Sequence, residues 1–318
     1  MDTTATFWLP PAASTLAAET DALFYFIFYV CLFFFLLIVT LSVVFAIKYR
    51  NRPGEPERVE TPPPEHNTLM ETLWIVVPTV IVMVVFAWGF HGYMRASIVP
   101  AEAMEIKVTG QKWFWSFDYP EGAATVNDLV VPVDKPVKLL LSSRDVIHGF
   151  FIPVFRIKHD VLPNRYGVIW FQATQKGTFD IFCTQYCGAK HSQMIGKVRV
   201  MGEKDYADWL DNASNLGEGL TPAEYGAKLY QAKACITCHT IDGTPNNGPT
   251  FKGVFGHKVK LSDGSEIVAD ENYVRESILT PTAKVVAGFQ PIMPTFQGIL
   301  KDAELDALIA FIKTLGNK

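Results

Sequence analysis

A chain of 318 residues holds two or three folding units, so a single small domain is excluded. With 49% hydrophobic and only 19% charged residues it is too apolar for disorder, and a membrane-embedded part is expected. The formal charge of -4, without any basic block or aromatic-studded basic stripe, excludes nucleic acid as a partner.

From Leu23 to Ile47 there is no charged residue. As a helix this run is about 37 Å long, against about 30 Å of bilayer hydrocarbon. A second uncharged run covers Thr72 to Phe90, with Trp74 and Trp88 near its ends and Pro78 tolerated inside. The two predict a transmembrane hairpin with spans over about 23–47 and 72–91. Lys48, Arg50, Arg52 and Arg58 in the connection place it in the cytoplasm, so residues 1–22 and everything after Tyr93 face outward. The first run lacks a basic start and exceeds the apolar core of a signal peptide, so it reads as a span. Five prolines, Pro53, Pro56, Pro62, Pro63 and Pro64, favour an extended connection. Glu71, where the second span begins, is either a solvated helix-end charge or part of a proton path.

Beyond residue 96 the pattern changes to short alternating, β-branched stretches separated by Gly, Pro, Asn and Asp. A small antiparallel β-sandwich or barrel follows. Its chemistry lies in CTQYCGAKHSQM, which holds Cys183, Cys187, His191 and Met194, with His148 upstream in SSRDVIHGF. Thiolate, imidazole and thioether together select copper over zinc. A mononuclear blue-copper site needs one cysteine, so the second thiolate can bridge to a second ion. Two coppers sharing two thiolates suit an electron relay better than a catalyst. His159 competes for the upstream imidazole, but Lys158 and Asp160 beside it fit a surface position.

Glu203 to Asn212 reads as a short helix and 216–220 as a linker, before an N-cap at Thr221 with Glu224 three residues later. CITCH then places Cys235, Cys238 and His239 in the c-type haem attachment pattern: two thioethers anchor the porphyrin edge and the imidazole falls beneath the iron. Met293 is the only methionine after residue 201, and with His257 it competes for the sixth ligand position. Met/His ligation raises the potential, as a carrier requires, so Met293 is preferred. Helices are expected over Pro222–Ala234, over ENYVRESIL and over AELDALIAFIKTL.

From Leu23 to about Asp211 the chain resembles subunit II of haem-copper cytochrome c oxidases. The hairpin, GQKWFWSFDY, DVIHGFFIP and the cysteine loop stand in that family's order. Residues 221–318 resemble a class I cytochrome c, with Gly248, Pro249 and Gly253 fitting that family's loop against the proximal imidazole. The resemblance implies a multidomain membrane protein: a two-helix transmembrane hairpin (23–95), an all-β cupredoxin-like Greek-key barrel (96–215) and an all-α class I cytochrome c domain. It also implies dinuclear copper A, with Cys183 and Cys187 bridging both coppers, His148 and His191 each binding one, Met194 a weak ligand and Gln185 giving its backbone carbonyl. Trp113 matches the family's tryptophan where electrons enter, and Glu71 its carboxylate at the mouth of a proton channel. Most of the family has glutamate in place of Gln185, where the side chain helps bind magnesium. A neutral amide is a weaker ligand for that hard dication, which puts magnesium in doubt.

The architecture resembles subunit II of cytochrome-c-containing (caa-type) terminal oxidases of a bacterial inner membrane. The resemblance implies electron flow from haem c to copper A and on to a haem of subunit I, where oxygen is reduced to water with proton pumping. The other oxidase subunits, and a cytochrome c or upstream respiratory complex as donor, are the implied partners. A copper A subunit of a nitric oxide reductase, or a free-standing membrane-anchored carrier, are the alternative readings. Residues 96–215 carry 13 Lys+Arg against 13 Asp+Glu, and residues 221–318 carry 10 against 10, so neither domain steers a partner by net charge. A short linker offers tethering instead, at about millimolar effective concentration.

Overall fold

A computed structural model describes residues 5–50 and 66–316. The proline-rich connection with Arg52 and Arg58 lies outside the described residues. Two units follow one another, 1–98 and 99–318.

The first unit is a pair of long apolar helices, α1 (Thr15–Lys48) and α2 (Thr68–Ser97). Both exceed the uncharged runs of the sequence, because their caps lie upstream of them. Ser14 accepts a hydrogen bond from the Ala17 amide and Asn67 one from the Met70 amide, satisfying first-turn donors. At 34 and 30 residues the helices are about 51 and 45 Å long, more than the hydrocarbon core needs. Glu19 pairs with Arg95, and Phe26 meets Trp88 at 5.7 Å between ring centroids, so the helices run antiparallel.

The second unit begins with two five-stranded sheets. The strands are β1 (Met104–Gln111), β2 (Phe114–Asp118), β3 (Ala124–Val126), β4 (Asp128–Pro132), β5 (Pro136–Ser143), β6 (His148–Ile152), β7 (Ile157–Val161), β8 (Gly167–Gln172), β9 (Gly177–Cys183) and β10 (Ile195–Met201). One sheet runs β3-β2-β1-β5-β8, the other β4-β10-β9-β6-β7. Alternate residues of each strand point inward: Ile106, Val108, Trp115, Phe117, Leu139, Leu141, Phe150, Ile181 and Val198 are buried between the sheets. The sandwich is mixed rather than purely antiparallel, since β1 pairs with β5 and β4 with β10 in parallel. Those pairs join strands that are not chain neighbours, and local alternation in a sequence carries no sign of strand direction.

A helix, α3 (Glu203–Ser214), closes the sandwich, with Trp209 against Tyr119 at 5.1 Å. Behind it α4 (Pro222–Ala232), a short hairpin of β11 (Lys258–Lys260) and β12 (Glu266–Val268), α5 (Glu271–Leu279) and α6 (Asp302–Thr314) form a helical domain. Thr221 and Glu224 cap α4 reciprocally. The helix stops at Ala232, short of the expected Ala234, because Ala234 takes a left-handed φ of 57° to turn the chain into CITC. At Gly226 the backbones of α4 and α6 all but touch: a Cβ there would lie 2.0 Å from the Ala307 carbonyl oxygen. Leu229, Tyr230, Ala307 and Leu308 bury that crossing, and Tyr273, Ile278, Leu305, Ile309 and Ile312 form the adjoining core.

Candidate metal and haem sites

The first site forms where β6 and β9 end side by side, with Phe150 opposite Cys183 in the ladder. His148 opens β6 and Cys183 closes β9, and the loop that follows carries Cys187, His191 and Met194. The six donors expected from the sequence converge. Cys183 Sγ lies 3.8 Å from Cys187 Sγ, 3.9 Å from His148 Nδ1 and 3.3 Å from the Gln185 carbonyl. Cys187 Sγ lies 3.6 Å from His191 Nδ1 and 3.9 Å from Met194 Sδ. At 3.8 Å the sulfurs are not bonded to each other. Two soft thiolates flanked by imidazoles and a thioether fit copper, and among the described residues His148, Cys183 and Cys187 bring ligand atoms within 4.8 Å of one another.

The hydrogen bonds fix which nitrogen faces the sulfurs. Asp145 can only accept, so His148 donates from Nε2 to Asp145 Oδ1 at 2.8 Å and turns Nδ1 inward. Burial disfavours the imidazolium, but Asp145 and then Cys183 outweigh it and raise the His148 pKa. Burial likewise pushes the Cys183 thiol up, yet hydrogen bonds from His148 and from the Gly149 and Gln185 amides bring it below its usual range. At Cys187 burial and the charge of Cys183 act together and push the thiol well up. Metal ligation requires thiolates, so loading releases protons.

The surroundings are equally specific. Trp113 donates from Nε1 to the Cys187 carbonyl at 3.2 Å, and Gly188, at φ 118°, lets its ring approach. Gln185 turns its side chain outward and donates to Asp160 at 3.1 Å. His159 stands on β7 with Nδ1 against the Asp160 carbonyl and is not among the clustered ligands. In the first unit Glu71 lies in the first turn of α2, 3.1 Å from His66 Nδ1.

The second site is an apolar slot in the helical domain. Cavities of about 590 and 180 Å³ share Cys238, His239, Phe251, Ile278, Met293 and Ile312, and Cys235 borders the smaller. His239 donates from Nδ1 to the Pro249 carbonyl at 2.7 Å, leaving Nε2 free as a ligand, and stacks on Phe251 at 4.5 Å. Burial lowers its pKa against the Pro249 contact. An apolar slot with two thiols at its edge and one oriented imidazole fits haem c. Met293 lines both cavities, whereas His257 borders only the larger and is exposed, its Nδ1 3.2 Å from the Phe255 carbonyl.

Three participants escaped the sequence reading. Phe251 stacks on His239, Asp145 holds His148, and Lys190 turns a buried Nζ, without a hydrogen-bond partner among the described residues, towards the slot. Only Asp145, three residues before His148, left a signal that could have been read. Lys112, Trp113, Lys190 and Gln193 close the cysteine end of the slot from the sandwich side.

These features define a class: a membrane-anchored chain with a cupredoxin-like domain followed by a cytochrome c domain. Residues 2–91 match the family described as cytochrome c oxidase subunit II, transmembrane domain; residues 122–201 match its periplasmic domain and residues 223–316 cytochrome c. Cytochrome c oxidase subunit 2 of Alkalihalophilus pseudofirmus is 30% identical over 87% of this chain and 82% of that protein. The same-named protein of Cereibacter sphaeroides is 28% identical over 64% of this chain and 78% of its own length. The periplasmic domain of subunit II of cytochrome oxidase from Bradyrhizobium japonicum, known from a crystal structure, is 32% identical with a TM-score of 0.36, covering 37% of this chain and 99% of that one. The chain belongs to the cytochrome c oxidase subunit II family of the haem-copper oxidases and carries a C-terminal cytochrome c domain.

Proposed function

We propose that electrons arrive at a covalently bound haem c, are relayed by dinuclear copper A and leave for a haem of subunit I, where oxygen is reduced to water with proton pumping. In this reading Cys183, Cys187, His148, His191, Met194 and the Gln185 carbonyl would hold two coppers, which would supply one-electron transfer. The observation that carries it is the convergence of these six donors at 3.3 to 3.9 Å. Cys235, Cys238, His239 and Met293, which line one cavity, would hold the haem.

The residues have separate tasks. His148 and His239 each spend one ring N–H on a fixed acceptor, which pre-sets the free nitrogen. Trp113 bridges the haem slot and the Cys187 carbonyl, where an electron must pass. The rigid sandwich around the donors limits rearrangement on electron transfer. Glu71 belongs to the start of a proton path. Magnesium is left out, because Gln185 offers an amide already engaged with Asp160. Residues 96–215 serve the coppers and 221–318 the haem, both on the periplasmic face of a bacterial inner membrane, with subunit I and the other oxidase subunits as partners and a cytochrome c or an upstream respiratory complex as donor.

Elemental analysis of the purified full chain tests this directly. Two coppers per iron are expected; iron with fewer than two coppers sinks the relay. Oxygen consumption by the complex recovered in mild detergent then separates an oxidase from a nitric oxide reductase.

A further inference from the structure

Asp145 stands at the junction of the copper ligands and the tryptophan turn, and its two carboxylate oxygens go to different places. Oδ1 accepts from His148 Nε2 at 2.8 Å and from the Val146 amide at 2.6 Å. Oδ2 accepts from the Lys112 amide at 2.8 Å, the residue that precedes Trp113. Ser143 steadies the loop: its Oγ donates to the Val146 carbonyl at 2.5 Å and accepts from the Asp145 amide at 3.2 Å. His148 is fully buried while Asp145 is about a quarter exposed. From Trp113 the connection continues through Nε1 to the Cys187 carbonyl at 3.2 Å. A closed ring of contacts thus runs from one proposed ligand, His148, through Asp145, Lys112 and Trp113 to another, Cys187. Gly110 makes room for the ring: a Cβ there would sit 3.1 Å from the His148 ring and 3.1 Å from Trp115, so the imidazole packs directly against the β1 backbone.

We propose that Asp145 is a positioning residue that locks the His148 imidazole and the Lys112–Trp113 turn into one unit, so that the copper pair and the tryptophan through which electrons arrive keep a fixed mutual geometry. The inference rests on the copper reading above. A carboxylate is the group suited to the task. Both its oxygens accept, it carries the charge that makes a ligating imidazole a better donor, and it selects the tautomer with Nδ1 unprotonated. An asparagine has one accepting oxygen and one donating nitrogen. It can serve His148 or Lys112 but not both, and without charge.

The test uses the full-length chain in detergent, loaded with copper and haem. Wild type, Asp145→Asn, Asp145→Ala and the outer-surface control Asp180→Asn are compared, Asp180 being paired with Lys197 across β9 and β10. Three readings are taken: copper release to a cuprous chelator, the copper midpoint potential, and the haem-to-copper transfer rate after rapid reduction of the haem. For Asp145→Asn, release about tenfold to a hundredfold faster is expected, with an upward shift of the copper potential, because a charge that favoured the oxidised pair is gone. Transfer slows, and the control changes none of the three. Asp145→Asn keeps nearly the same volume, so it decides the matter if Asp145→Ala fails to fold. Unchanged release and potential in Asp145→Asn overturn the proposal. Slower transfer at unchanged potential also overturns it, since Asp145 would then serve the tryptophan turn alone. Fewer than two coppers in wild type refute the copper reading itself, and that outcome is visible before any variant is made.

Discussion

At His239 one hydrogen bond decides what the ring can do, because the Pro249 carbonyl accepts from Nδ1–H at 2.7 Å and leaves Nε2 bare. Gly248 makes that orientation possible. A Cβ at residue 248 would lie 2.6 Å from the His239 Cε1 and 2.9 Å from Nδ1. Gly248→Ala should therefore leave the haem attached through Cys235 and Cys238 but push the imidazole off axis. The visible spectrum should shift from low-spin towards high-spin while haem content per chain stays constant; an unshifted spectrum would show that the ring tolerates the methyl group. Residues of this kind divide sharply in how legible they are. Cys183, Cys187, His191 and Met194 stand within twelve residues, and CITCH within five, so spacing alone announced them. Asp145 reaches Lys112 across 33 positions and Phe251 reaches His239 across twelve, and such pairings exist only once strands and helices are placed.

Among the elements, β4 shows how side chains finish what a sheet leaves open. It is an edge strand, and the Tyr119 hydroxyl donates to the Val130 carbonyl at 3.0 Å and accepts from the Val130 amide at 2.8 Å. Burial holds the Tyr119 pKa above its ordinary 10.0 despite the Val130 contact. The unfolded chain then loses this proton first. The stabilising contribution is complete below pH 10 and is lost as the pH rises from there towards the folded value, at up to about 1.4 kcal/mol per pH unit. Tyr119→Phe should cost about 1–3 kcal/mol at pH 7, because a buried amide and carbonyl lose their partner, and should show a shallower decline above pH 10. Denaturant unfolding of both proteins at pH 7, 10 and 11 measures the two effects; parallel curves would mean that Tyr119 ionises freely in the folded state. The helices of the haem domain were readable from their caps and apolar period, to within a residue or two at their ends. The β11–β12 hairpin was not, since three residues a side give no period to recognise, and neither were the parallel pairs of the sandwich.

Across the second unit, the sandwich and the helical domain meet at the cysteine end of the slot. Arg144, next to Asp145, donates to the Gln297 carbonyl at 3.4 Å, four residues beyond Met293, and Lys190 from the metal loop points into the same cavity as Cys235 and Cys238. With balanced charges on both sides, long-range attraction does not hold this arrangement. The structure shows local contacts there instead, Arg144 to the Gln297 carbonyl among them. Oxidation adds a positive charge to a haem, and a neighbouring ammonium opposes that addition. Lys190→Met should accordingly lower the haem midpoint potential, and Lys190→Arg, which keeps the charge, should restore most of it. A redox titration of the haem absorption in the loaded chain reads both. An equal potential in all three proteins would place the Lys190 charge outside the reach of the haem, and the contact between the domains would then have to be sought through Trp113 and Arg144 alone.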